Sequence, residues 1–127
     1  MDIEAALYQY LSNHSEVSDF FNEIEFLTLP ENPSYPALTI KKISNYQNLV
    51  FAHPRFQLDV YSDKQGGSGY GEIKEGAGII KSALYRFKGV MGDRPVKYIN
   101  LLNEQDIYEE DVKLYREIID FQIHYEE

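Results

Sequence analysis

Cysteine is absent from the 127 residues. Its absence excludes disulfide frameworks, thiolate metal sites and cysteine nucleophiles together, and agrees with a reducing compartment. Long apolar runs are missing too: no stretch reaches the roughly 18 apolar residues that a membrane-spanning helix needs. The start, Met1-Asp2-Ile3-Glu4, lacks the basic stretch of a secretory leader, so the chain is expected to act inside the cell. Histidine is sparse. His14, His53 and His124 stand far apart, with no pair at i, i+4 and no carboxylate at ligand spacing, so neither a metal nor a cofactor is expected. Basic side chains are missing from residues 1–40, which hold seven acids and no Lys or Arg.

What remains is an ordinary globular composition, 43% apolar and 14% aromatic, long enough for one domain spanning 1–127 with its own core. The 12 basic and 21 acidic side chains give a net charge of −9, unevenly spread. Residues 41–102 hold ten bases against five acids, a net of +5, and residues 103–127 hold nine acids against Lys113 and Arg116, a net of −7. So acidic a chain is repelled by phosphate backbones, which argues against sequence-specific nucleic-acid binding. A basic middle between acidic ends favours another use. One copy's acidic edge can meet the next copy's basic edge, the head-to-tail contact that closes into rings.

Ile3, Ala6, Leu7, Tyr10 and Leu11 recur at helical spacing behind Asp2, a suitable N-cap, and residues 15–22 predict a second helical turn carrying Val17, Phe20 and Phe21. Ile24, Phe26 and Leu27 open an extended segment. Pro30, Pro33 and Pro36 then make a stiff loop, since each lacks an amide donor and bars its predecessor from helix. The β-branched residues of 37–43, and the alternation of Phe56, Leu58 and Val60 with Gln57, Asp59 and Tyr61, predict two strands. Residues 44–54 between them show no period and are expected at a hairpin tip. Residues 63–71 hold four glycines and read as a flexible connection. Ile73, Ala77, Ile80, Leu84 and Phe87 then give the most regular helix, in which Gly76 and Gly78 ask for a close packing partner. Gly89 ends it, Gly92 and Asp93 turn the chain, and residues 96–102 form a third strand. Ile119, Phe121, Ile123 and Tyr125 make the last ten residues a strand, although Val112, Tyr115 and Ile119 also fit a helix. The sum is α+β: a mostly antiparallel sheet of four to five strands with two helices packed on one face.

Catalytic signatures fail in detail. The order strand, glycine segment, helix over residues 56–87 suggests a phosphate site, but no Gly-Lys-Ser/Thr ends it, and Glu72 puts a carboxylate where phosphate would lie. Gly67-Ser68-Gly69 lacks the spacing of a nucleophile elbow. Carboxylate pairs such as Asp59 with Asp63, or Glu109 with Asp111, read as solvated acids in a chain so rich in them.

The order of segments resembles the phage tail completion proteins. The residues that carry it are the helix with Ala5-Ala6-Leu7-Tyr8 and Leu11, then Val17 and Phe20-Phe21, Tyr35-Pro36 leading into a strand, and Gln57-Leu58-Asp59-Val60-Tyr61. Near the end, residues 108–111, Leu114-Tyr115-Arg116 and Ile119-Asp120-Phe121-Gln122-Ile123 are similar to the family's closing strand. The chain departs from it in the long 44–54 excursion and the acidic Glu126-Glu127 end. The resemblance implies a sheet with helices on one side and a structural protein of long-tailed phages or a prophage. It also implies rings, typically of six copies, that cap the finished tail tube at its head-proximal end and join it to the head connector. No substrate is turned over, and no membrane is involved.

Within that reading, DNA passes through the ring without specific binding, eased by an acidic lining. Lys41, Lys42, Arg55, Arg86, Lys88 and Arg94 are expected to meet acidic neighbours across subunits, with the aromatic residues Tyr46, Phe51, Tyr61 and Tyr70 as apolar anchors. Gly66, Gly67, Gly69 and Gly71 are expected to form a flexible docking loop that orders when the tube or connector arrives. Two other classes compete. A monomeric acidic adaptor or inhibitor of a basic protein predicts no self-assembly, and a small carboxylate enzyme predicts a cleft holding one strongly perturbed acid.

Overall fold

The computed structural model describes residues 2–47, 50–85 and 87–126. Asp2 Oδ1 accepts the Ala5 amide at 2.7 Å and so starts α1 (Ile3–Asn13), which buries Ile3, Ala6, Leu7 and Leu11 along one stripe. Burial of a side chain such as Leu7 stabilises the fold by about 1.5–3 kcal/mol. A short α2 (Ser15–Phe20) follows directly and buries Val17. The chain then runs through β1 (Glu23–Phe26), β2 (Ala37–Gln47), β3 (Phe51–Ser62), α3 (Gly66–Leu84), β4 (Gly89–Met91), β5 (Arg94–Glu109) and β6 (Leu114–Glu126).

The six strands form one sheet in the order β1-β2-β3-β6-β5-β4, and all pairs are antiparallel except β1 with β2. The architecture is α+β as expected, with more elements than expected: six strands in a mixed sheet, and three helices. The parallel pair arises because the proline loop over residues 27–36 carries the chain back to the start of the sheet, where β2 sets off in the same direction as β1. Asn22 anchors that return, its amide donating to Pro36 O at 2.9 Å and its Nδ2 to Tyr35 O at 2.7 Å. β4 is too short to leave a period in the sequence. Residues 44–47 and 51–54 continue the β2–β3 ladder instead of forming an irregular tip.

Alternation along β3 and β6 sends Phe56, Leu58 and Val60, with Ile119, Phe121 and Ile123, to the face that also receives Leu7, Leu11, Val17, Ile73, Ile80 and Leu84. All three helices join that one cluster, which leaves the other face of the sheet without a helical cover. None of the described helices is long and apolar enough to cross a membrane.

The largest departure from the sequence reading is at Gly66, Gly67, Gly69 and Gly71, which are the opening turns of α3 and not a flexible loop. Tertiary contacts override the weak helix propensity of glycine here. Gln65 Nε2 donates to Asp63 O and Lys113 O, Tyr108 Oη donates to Gln65 Oε1 at 2.9 Å, and Ser62 Oγ donates to Glu72 Oε1 at 2.7 Å. Further along, Gly76 does have the close partners its sequence context asks for: a Cβ there would lie 2.8 Å from Val60 Cγ1 and 2.9 Å from Phe20 Cε2. Gly78 has open space around it.

Candidate assembly surfaces

The uncovered face collects residues 51, 53, 55, 57, 59 and 61 of β3 and the even residues 114–124 of β6. Its centre is an ion-pair network. Asp59, 4% exposed, accepts from Arg116 Nε at 3.1 Å and Nη2 at 2.5 Å and from Gln57 Nε2 at 3.1 Å, while Arg116 Nη1 donates to Glu109 Oε1 at 2.7 Å. Arg116 also lies 5.4 Å from the centre of the Tyr61 ring. Burial, then the Asp59 charge, raises the Tyr61 phenol above its ordinary value. The guanidinium thereby ties β3, β6 and β5 together on the open side, and Asp59 and Glu109 are structural partners of Arg116, not solvated acids. Further along the face, Arg55 Nη2 approaches Asp120 Oδ2 at 3.6 Å.

At the far end four rings cross the sheet in strand order. Tyr46 of β2 stacks on His53 of β3 with centroids 5.8 Å apart, His53 meets His124 of β6 at 4.8 Å, and His124 stacks on Tyr98 of β5 at 4.1 Å. The two imidazole Nδ1 atoms are 2.6 Å apart, and His124 Nε2 is 2.8 Å from Asn100 Oδ1. Burial first, and the neighbouring His53 second, lower the proton affinity of His124. The histidines that stand apart in sequence thus meet in space. No sequence signal pairs β3 with β6, so none could have joined them.

On the helix side a second polar cluster fastens α3 to β5 and β6. Lys74 Nζ lies 2.7 Å from Asp106 Oδ1 and 3.2 Å from Glu117 Oε1, Tyr70 Oη donates to Asp106 Oδ2 at 3.0 Å, and Lys81 Nζ lies 3.0 Å from Glu104 Oε1. The Glu117 side chain is 0% exposed. Burial, followed by hydrogen bonds to Glu104 and Asp106, pushes its carboxyl up to about 8, so it is mainly neutral at pH 7. The hydrogen bond from Glu117, with Lys74 and Tyr70, in turn takes Asp106 down to about 2. A raised carboxyl favours the fold in its protonated state, and that contribution fades as pH rises through about 8. Between pH 7 and pH 9 the unfolding free energy is therefore expected to fall by about 1 kcal/mol. Glu117→Gln should flatten that slope, as urea titrations at the two pH values will show.

Glu117 is the strongly perturbed acid that a small enzyme would need, but it is sealed beneath α3 and borders neither of two surface hollows. These lie elsewhere: one of 430 Å³ bounded by Tyr10, His14 and Met91, and one of 420 Å³ bounded by Glu4, Phe26 and Lys42.

The expected interface residues fall into separate groups. Lys41, Tyr46, Phe51, Arg55 and Tyr61 belong to the β2–β3 hairpin, and Lys42 points to the helix side, where it pairs with Glu4 at 3.3 Å. Lys97 Nζ sits over the Phe51 ring, 4.5 Å from its centre. Lys88 is exposed beside β4, and Arg94 Nε lies 3.8 Å from Asp93. Tyr70 is on α3, held by Asp106. Tyr46, Phe51 and Tyr61 stand on strands. Arg86 lies outside the described residues.

Both edges of the sheet are partly unpaired. Among the described residues β1 covers only residues 37–40 of β2, and β4 covers only residues 94–96 of β5. The stretch 41–46 of β2 and the stretch from 97 to 109 of β5 therefore keep a free row of backbone donors and acceptors.

The sheet is backed by helices on one side, its polar clusters hold strands and helix together, and its long edges are open. The family model for tail completion protein gp17 matches residues 5–126, and the chain belongs to that family of structural virion tail proteins, which are not enzymes. As a member it associates with other virion components in a tail. Its fold is similar to that of a chain in a solved structure described as the virion of a native gene transfer agent (GTA) particle. The TM-score is 0.75 at 17% identity, over 98% of this chain and 95% of that one. No curated protein matches it in sequence.

Proposed function

We propose that the protein assembles as a ring of six copies that caps the head-proximal end of the tail tube and joins it to the head connector, leaving a channel for DNA. The observation that carries this reading is the pair of unpaired edges on opposite sides of one sheet. Two different open edges suit a head-to-tail contact, which closes into a ring when its rotation divides a full turn. The net charge of −9 per copy supports the channel: a strongly negative ring repels the phosphate backbone, so DNA passes without sticking.

Two measurements test it together. Sedimentation against concentration should reveal a species of six times the 14.8 kDa subunit mass, with nothing populated beyond it. Electron microscopy of particles made without the protein should show tails of uncontrolled length or filled heads detached from tails. The first outcome marks a terminator and the second a joiner. Normal, joined particles, or a monomer at every concentration with virion components present, would reject the ring.

A further inference from the structure

We infer that neighbouring copies in this ring join by strand pairing, the free edge of β2 over residues 41–46 lying antiparallel to the free edge of β5 over residues 98–103 of the next copy. This rests on the ring reading above and specifies its contact.

The heights of the two edges agree. Across the sheet, Lys41 is level with Gln57, Asp120 and Asn103, and Ser44 is level with Arg55, Gln122 and Asn100. The ring ladder places Tyr46 level with His53, His124 and Tyr98. A rotation about an axis along the strands therefore brings the two free stretches side by side without sliding. Direction agrees as well. β2 is antiparallel to β3, β3 to β6 and β6 to β5, so β2 and β5 run in opposite senses and meet as an antiparallel pair. Each edge also carries an irregularity at nearly the same height, between Lys42 and Ser44 on β2 and between Leu101 and Asn103 on β5, so the two bend together.

Charge and apolar surface point the same way. β2 has Lys41 and Lys42 and no acid, while residues 97–109 of β5 have Glu104, Asp106 and Glu109 against Lys97. Pairing puts Lys42 and Glu104 on the helix side one diagonal apart, within side-chain reach. Tyr46 is 67% exposed and Tyr98 is 47% exposed, each ending the four-ring row at its own edge. In the ring they become neighbours, and the row Tyr46–His53–His124–Tyr98 continues from copy to copy around the axis. Ile43, Leu101 and Leu102, also exposed, are covered by the same contact. A long edge with apolar residues is an aggregation hazard in a monomer and is explained when a partner strand covers it.

The natural absence of cysteine makes the test clean. Two double variants, Tyr46→Cys with Tyr98→Cys and Lys41→Cys with Asn103→Cys, are oxidised at ring-forming concentration and run on non-reducing gels. Within one chain each pair is separated by three strand spacings, roughly 14 Å, too far for a disulfide, so any bond formed joins two copies. Both variants should give a covalent ladder up to six chains, while the four single variants stay monomeric on the gel. Rings that form without a ladder in either pair, or with one pair only, overturn this contact and leave the ring standing. No ring in wild-type or variant protein overturns both.

Discussion

Replacing Arg116 with Ala is expected to remove about 3–5 kcal/mol of stability, the cost of leaving a buried charge without its partner. Asp59 is 4% exposed, and both of its strongest contacts, at 2.5 and 3.1 Å, come from this one guanidinium. Among the described residues the carboxylate then keeps Gln57 Nε2 at 3.1 Å and the Tyr61 hydroxyl at 3.4 Å. Arg116→Lys should recover part of the loss, because an ammonium restores the charge and not the two-pronged geometry. Adding Asp59→Asn to Arg116→Ala should also recover part, since the stranded charge is then gone. Midpoints of urea unfolding for the four proteins decide it. Equal stability of wild type and Arg116→Ala would mean that water reaches Asp59 freely and that the network is ornamental.

Gly69→Ala is the second large effect. A Cβ at Gly69 would fall on the Lys64 carbonyl oxygen and within 2.5 Å of Tyr115 Cδ2, so the first turns of α3 would have to lift from the sheet. Overpacking of this kind costs about 1–3 kcal/mol and more where backbone is struck. Gly67→Ala, two residues earlier, meets nothing within 4 Å and should be neutral or gain up to about 1 kcal/mol of helix propensity. The pair separates a structural glycine from a permissive one in a segment whose sequence treats both alike. Thermal unfolding compared across the two variants reads the difference directly. A flexible docking loop would tolerate alanine at both positions, so matched melting curves would restore that earlier expectation.

Much of the architecture is legible in the residues because periodicity is local. The stripe of Ile3, Leu7 and Leu11 places α1, the alternation of Phe56, Leu58 and Val60 places β3, and Ile119, Phe121 and Ile123 settle the last segment as strand against its helical alternative. The family is legible for the same reason: its motifs are short apolar patterns that mark cores. Features that depend on which strands become neighbours are not legible. His53 and His124 are 71 residues apart, and Arg116 and Asp59 are 57 apart. Each pair meets only because β3 lies beside β6, a choice that no local pattern encodes. Charge carries no information about face: Lys41 and Lys42, adjacent and alike in sequence, fall on opposite sides of one strand.

The sequence alone determined an α+β fold without disulfides, an acidic surface with a basic middle, and a kinship with tail completion proteins, because composition and spacing act through each residue's own chemistry. The tertiary structure alone decided that residues 66–71 are helix, that β1 runs parallel to β2, that Glu117 is buried and neutral, and where the sheet is left open. The reason is the same in each case: helix start, strand neighbour, proton affinity and free edge are set by what other parts of the chain bring alongside, and those partners come from far along the sequence.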